Sequence, residues 1–452
     1  MDAIERFADH VVGCDVDDLP PAAVRAAKTF ILDSIGVGVV GSAGPWVEEL
    51  VASLSGWGAG DDARLLVRGT RLPAPAAAMG NAYQTHNSEF DCVHEGAVVH
   101  PMACVLSSVL AEADRAGGVT GPQFMAAVAL GVDVACGIGV ASNAPLRFFR
   151  PGTAGGFGAA AAVGRLRGFD RETLLDALGL AYSQMCGTMQ AHVEGSTVLA
   201  MQIGFNARNA VVACDMAARG LRAPRELLEG QFGYYALFEG DRDLAPVLSG
   251  LGRDWCIAEL AHKPFPSGRA THGIVDGVLD VQRTHGFAAA EVAGVTARVP
   301  PLTHRLVGRP VKPDMTVNYA RLCGAYVTAR ALIAGGVGVD DFLSDALADP
   351  ATLALAGRVE IVADDNPDDN ALLPIAIEIH LENGRRHDIT LDVVYGNPAK
   401  PMTRDAHLAK FRRNWASGAV PLDADRGEQM IAMIDDLESV ADIRSLIDLA
   451  VA

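Results

Sequence analysis

The spacing of apolar residues changes character once along the chain. Up to about residue 240 they recur at three- and four-residue steps, the period of a helix with one buried face. Ile4, Phe7, Ala8 and Val11 mark one face of a first helix. Pro20-Pro21 opens a second, which runs through Val24, Ala27, Phe30, Ile31 and Ile35. Further helices are predicted over 72–88, 103–115, 120–142, 154–165, 171–185 and 196–219, with Gly, Pro, Asp or Asn between them. From residue 260 onward the texture is different. KPFPSGRATHG (263–273) is a Pro- and Gly-punctuated link into a helix whose buried stripe is Ile274, Val275, Val278, Leu279 and Val281. VAGVTARV (292–299) alternates as a strand does, a helix follows over 315–334, and VEIVAD (359–364) is another strand. In IAIEIHLENGRRHDITLDVV (375–394) apolar residues alternate on both sides of Asn383-Gly384. That pattern predicts a hairpin with positive φ angles at its tight turn. After NPAKPMT (397–403) the chain is helical again.

Helices followed by strands indicate segregated α and β parts rather than alternating βαβ units. The expected fold is mainly α: a large helical domain begun by residues 1–262, a smaller α+β domain over 263–396, and C-terminal helices over 397–452 that rejoin the first part. No GxGxxG or GxxxxGK[ST] motif follows a predicted strand, and the glycine/alanine run GTAGGFGAAAA (152–162) follows no β-like stretch, so nucleotide binding is not expected there.

Composition narrows the picture. The 452 residues carry 37 Lys+Arg against 55 Asp+Glu, a net charge of −18, and half of the chain is hydrophobic. That much apolar surface excludes a disordered chain. The negative balance, with no basic cluster, argues against nucleic acid as a partner. The eight cysteines are scattered singly and suit a reducing compartment. MDAIERFADHVV lacks the basic start and apolar stretch of a signal peptide, and the apolar segment 124–146 holds Asp133 and three glycines, so a cytoplasmic protein without a membrane span is expected.

Chemistry concentrates in HNSEFDCVHEGAVVHP (86–101), which places His86, Glu89, Asp91, His94, Glu95 and His100 within fifteen residues. Three readings compete: acid–base catalysis by an imidazole and a carboxylate, a metal site, or a structural polar loop. The spacing HExxxxH is not the HExxH of two ligands one helical turn apart, which weakens the metal reading. In KPFPSGRATHG, Ser267 reads as a helix N-cap beside Arg269 and Lys263, a place where a carboxylate or phosphate could be held; an ordinary capped helix is the alternative. His272, one turn in, fits a structural role better than a catalytic one. Tyr319, at the start of NYARLCGAYVTA, is either a proton donor or a core-edge tyrosine. His192 and Glu194 of AHVEGSTV read as no more than a cap.

Taken in order, these segments resemble the MmgE/PrpD family of 2-methylcitrate dehydratases, cis-aconitate decarboxylases and an iminodisuccinate epimerase. NAYQTHNSEFDCVHEGAVVHP resembles its acidic segment closed by His-Pro, and GTAGGFGAAAA its Gly-Phe-Gly-Ala stretch. KPFPSGRATHGIVD is similar to its Lys-Pro-Tyr-Pro-Ser-Cys-Arg…Thr-His segment, and NPAKPMTRDAHLAKF to its C-terminal Asn-Pro…Lys-Phe element. The resemblance implies a helical domain with a smaller α+β lid, a homodimer, and catalysis without metal or other cofactor. It implies His100, Glu89, Asp91 and Tyr319 as catalytic residues and Lys263 as a substrate-binding lysine; Ser267 and Arg269 at the helix start, with His272 and His94, are expected to bind the substrate beside it. A family lysine falls on Leu199, a second histidine on Phe149 or Arg150, and a threonine on Val93. Losing that lysine and histidine removes two partners of a tricarboxylate, so the expected substrate is a small hydroxy acid with fewer carboxylates. The expected activity is that of a hydro-lyase abstracting a proton next to a carboxylate. An epimerase or decarboxylase, or a non-catalytic binding protein, are the alternatives.

Overall fold

The computed structural model describes residues 2–452 and is mainly helical, with a minor share of strand. Two compact units divide it. The first comprises residues up to Met189, Val198–Leu260 and Thr403–Ala452; the second comprises Gln190–Thr197 and Ala261–Met402.

In the helical unit, helices Ala74–His86, Pro101–Ala116, Gly121–Val140, Arg150–Leu166 and Val198–Ala217 pack on one another. Gly121–Val140 is long and apolar enough to cross a membrane, yet 89% of its apolar window is buried among its neighbours. It starts at a reciprocal cap, in which Gln123 N–H donates to Thr120 Oγ1 while Gln123 Oε1 accepts from Thr120 N–H. The density of small residues has a direct cause at its crossing with Arg150–Leu166. A Cβ on Gly158 would lie 2.3 Å from the carbonyl oxygen of Gly131, so these backbones meet closer than side chains allow. A two-residue ribbon of β1 (Ala63–Arg64) and β2 (Arg71–Leu72) lies beside helix Pro101–Ala116.

The second unit is built on a four-stranded sheet in the order β4-β3-β5-β6, from β3 (Val292–Val299), β4 (Val359–Ala363), β5 (Ile375–Leu381) and β6 (Arg386–Leu391). β3 runs parallel to β4 and antiparallel to β5, and β5 pairs antiparallel with β6. Ile375, Ile377, Ile379 and Leu381 of β5 are buried, as the alternation required. Helix Arg269–His285 covers this face, and Gly277 lets it settle: a Cβ there would meet Ile377 Cδ1 at 2.4 Å.

Three local expectations are corrected. The hairpin turn is not a two-residue one. Leu381 N–H bonds to Arg385 O and Gly384 N–H to Leu381 O, and only Gly384 has positive φ (83°), which is the three-residue loop with a glycine bulge. The helix expected over 315–334 is two, Val317–Arg321 and Gly324–Ala334, because the Arg321 carbonyl accepts from Gly268 N–H instead of continuing the helix. The segment Gln190–Thr197, read as helical-domain sequence, belongs with the second unit. Arg309 Nη2 donates to His192 O at 2.9 Å, Asn318 Nδ2 to Ser196 O at 3.0 Å and Thr316 Oγ1 to Gly195 O at 3.2 Å.

Candidate active site

Helix Ala74–His86 ends on His86, and Asn87 anchors the exit by donating to Gly41 O at 2.9 Å. The chain then doubles back through Glu89, whose φ of +53° is rare for a residue with a side chain. At the far end, His94 and Val99 exchange both backbone hydrogen bonds, which closes a small turn containing Val98 at φ +52°. A β-branched residue in that region is strained, and such strain clusters at functional sites. The turn delivers His100 directly onto Pro101, the first residue of helix Pro101–Ala116.

This path gathers three side chains. Asp91, with 0% exposure, lies between two imidazoles. His86 Nδ1 is 3.1 and 3.0 Å from its two oxygens, and His100 Nδ1 is 3.4 Å from Oδ2. The two rings stand edge to face, centroids 5.0 Å apart. Burial pushes the Asp91 carboxyl up, but the adjacent imidazoles, by charge and by hydrogen bonding, outweigh it and hold the group well below the usual carboxylate range. His100 Nδ1 also lies 3.1 Å from the Cys92 carbonyl. Both of its neighbours there only accept, so the ring carries its proton on Nδ1 and, when neutral, its lone pair on Nε2. The same argument fixes His86.

Glu89 is buried, and its Oε1 lies 3.7 Å from His86 Nε2. His86 was given no role from the sequence; its signal was only its place in the cluster. His94 does not join the three. Its Nδ1 accepts from Ala97 N–H at 3.1 Å, and its ring lines a pocket of about 260 Å³ with Asp133, Val140, Val247 and Cys256. Burial pushes its pKa down to about 4, which keeps it neutral. His86, Asp91 and His100 each offer a donor atom within 4.8 Å of the others and could hold a divalent cation, at the cost of the His100 Nδ1–H bond to Cys92.

The residues at the departures from the family pattern are apolar or committed. Leu199 is buried, and the ring of Phe149 lies 5.8 Å from that of His86. Arg150 is fully buried in a two-point pair with Glu239.

In the second unit Lys263 is fully buried. Ser267 is not the N-cap of helix Arg269–His285. That position is Gly268, because the Ser267 hydroxyl bonds to Thr271 Oγ1 at 2.8 Å rather than to the helix backbone. Arg269 donates to the carbonyls of Tyr395 (2.8 Å), His262 (3.2 Å) and Val394 (3.4 Å). His272 Nε2 lies 3.1 Å from Ser267 O, so it is the donor there and its Nδ1 faces Arg269 as acceptor. Arg269 and His272 thus brace the helix entry. The Tyr319 hydroxyl donates to Pro310 O at 2.7 Å, while Arg309 and Lys312 stand 4.9 and 4.6 Å from its ring centre, two cations the sequence had not brought to notice.

The MmgE/PrpD N-terminal domain matches residues 5–247 and the MmgE/PrpD C-terminal domain residues 265–436. The cis-aconitate decarboxylase of Mus musculus is 27% identical over 97% of this chain and 91% of its own length. Its Homo sapiens counterpart is 26% identical over 97% and 92%, and that of Aspergillus terreus (strain NIH 2624 / FGSC A1156) 26% over 96% and 92%.

Proposed function

Because the chain belongs to the MmgE/PrpD family, we propose that it is a lyase acting on a carboxylic acid, with His100 as the group that moves the proton. The observation that carries this reading is the buried Asp91 shared by two imidazoles. A carboxylate held ionised at Nδ1 fixes which nitrogen reacts and stabilises the imidazolium formed when Nε2 takes a proton.

Decarboxylation is the favoured reaction, since cis-aconitate decarboxylase is the activity carried in the names of the relatives. In that case the bond to the carboxylate carbon breaks, CO₂ leaves, the electron pair stays on the adjacent carbon, and the His100 imidazolium, protonated beforehand from solvent, gives its Nε2 proton to that carbon and ends neutral. Dehydration is the second reading, favoured by the pair of rings 5.0 Å apart. One imidazole, neutral, removes the C–H proton at its Nε2, while the other, entering as imidazolium, gives its Nε2 proton to the departing hydroxyl, which leaves as water. Lys263 is proposed as a carboxylate-binding residue on the family resemblance, and Leu199 and Phe149 favour a substrate with fewer acid groups than cis-aconitate or 2-methylcitrate.

A panel of mono-, di- and tricarboxylic acids, followed for CO₂ release and by proton NMR in D₂O, tests the reading. The expected pattern is deuterium entry at the reacting carbon, with a mono- or dicarboxylate preferred. A folded His100→Gln protein with wild-type turnover would overturn the role of His100, and fastest turnover of a tricarboxylate would overturn the substrate class.

A further inference from the structure

Two features marked out in the sequence, the closing NP…KF element and the arginine after Phe149, take no part in the reaction above, yet both lead to the segment 87–100. Lys410, on helix Arg404–Ala416, is 1% exposed. Its ammonium donates to the Phe90 carbonyl at 3.0 Å, pairs with buried Asp33 at 2.8 Å, and lies 4.1 Å from the centre of the Phe90 ring. Phe90 immediately precedes Asp91. Arg150 donates from Nη1 to the Ala97 carbonyl at 2.9 Å while Glu239 holds its Nε and Nη2 at 3.0 and 2.8 Å. Ala97 lies in the closed turn that leads to His100.

Lys and Arg are seldom fully buried, and a buried ion pair is generally no more stabilising than apolar side chains of the same volume. Core stability alone therefore does not account for cations at both places. What such a pair does, and an apolar one cannot, is to grip a carbonyl oxygen with directional, charge-assisted donors. We infer that Lys410 and Arg150 are positioning residues that pin the two ends of the segment carrying Asp91 and His100, at the carbonyls of Phe90 and Ala97. The effect on turnover rests on the lyase reading above; the effect on the geometry of the imidazoles does not.

The test uses the full chain with Lys410→Met combined with Asp33→Asn, which removes both charges with little change of volume, so that folding is kept. Arg412→Ala, an exposed position on the same helix paired with exposed Glu428, is the control. Measured are kcat, KM, the melting temperature and the imidazole signals of ¹⁵N-histidine-labelled protein. A displacement of about 1 Å at a reacting group costs on the order of 100-fold. Expected is a fall in kcat of tenfold or more, with KM within about twofold by the same positional argument, and displaced His86 and His100 signals in a protein that melts near the wild type. Unchanged imidazole signals in a folded variant overturn the inference, whatever the activity does. Displaced signals with wild-type turnover uphold the pinning and overturn the catalytic role of the segment instead. Arg150→Met with Glu239→Gln reads the other end by the same outcomes.

Discussion

Asp91→Asn is the most searching substitution, because it keeps the shape of the side chain and changes only what its oxygens can do. The carboxylate offers two acceptors, and His86 Nδ1 uses both, at 3.1 and 3.0 Å, while His100 Nδ1 approaches Oδ2 at 3.4 Å. An amide has one oxygen. With that oxygen kept at the shared position, its NH₂ faces the His86 Nδ1–H, donor against donor, and the countercharge for an imidazolium is gone. A hydrogen bond to a charged group contributes about 1.5–3 kcal/mol. Losing it at His86 alone raises the barrier by roughly 1.5–3 kcal/mol, or about 10–10²-fold in kcat at 1.36 kcal/mol per decade, and the missing countercharge at His100 adds to that. The assay is steady-state turnover of the best acid in the panel, with circular dichroism to show that the variant folds. Turnover of a folded Asp91→Asn protein within threefold of wild type would refute the reasoning, because the carboxylate would then be doing nothing that an amide cannot.

Burial pushes both His94 and His407 down to about 4, so the unfolded chain binds protons that the folded one refuses between about pH 6.5 and 4. Stability is full above that window and falls as pH drops through it, by up to about 3 kcal/mol per histidine; urea midpoints from pH 7 to 4 should show the slope, and His407→Gln should flatten it. Gly158→Ala drives a methyl group to 2.3 Å from the Gly131 carbonyl and should cost about 1–3 kcal/mol or more, read as a lowered urea midpoint with wild-type spectra otherwise. Lys263→Met should lower kcat/KM by about 10–100-fold if the lysine grips a carboxylate, and methyl-ester analogues should lose the difference. Exhaustive chelation should leave turnover unchanged; a loss restored by one divalent ion would recast His86, Asp91 and His100 as its ligands.

Much of this was legible in the sequence because it is local. The β5 alternation, the first helices and the crowding of His86, Asp91 and His100 all lie within a few residues of their cause. What escaped was decided by side-chain partners that periodicity does not report, most of them distant in sequence. Ser267 reads as a cap, but its hydroxyl is taken by Thr271. The break after Arg321 exists because a glycine fifty-three residues earlier claims its carbonyl. Nothing near Arg150 announces Glu239, 89 residues away, and nothing near Phe90 announces Lys410. Periodicity reports which face is buried, not which distant partner a buried charge will find.

The bond between Lys410 and Phe90 joins residues 320 positions apart, so Phe90 is synthesised long before its partner. On the ribosome, where early segments ordinarily settle as they emerge, the stretch bearing Asp91 must wait for 320 further residues before its fastening exists. The second unit can meanwhile close on its own sheet. Nascent chains halted before residue 403 should therefore carry a helical bundle still lacking its final brace, which makes the bundle, although its first part is translated before the sheet, the part that matures last.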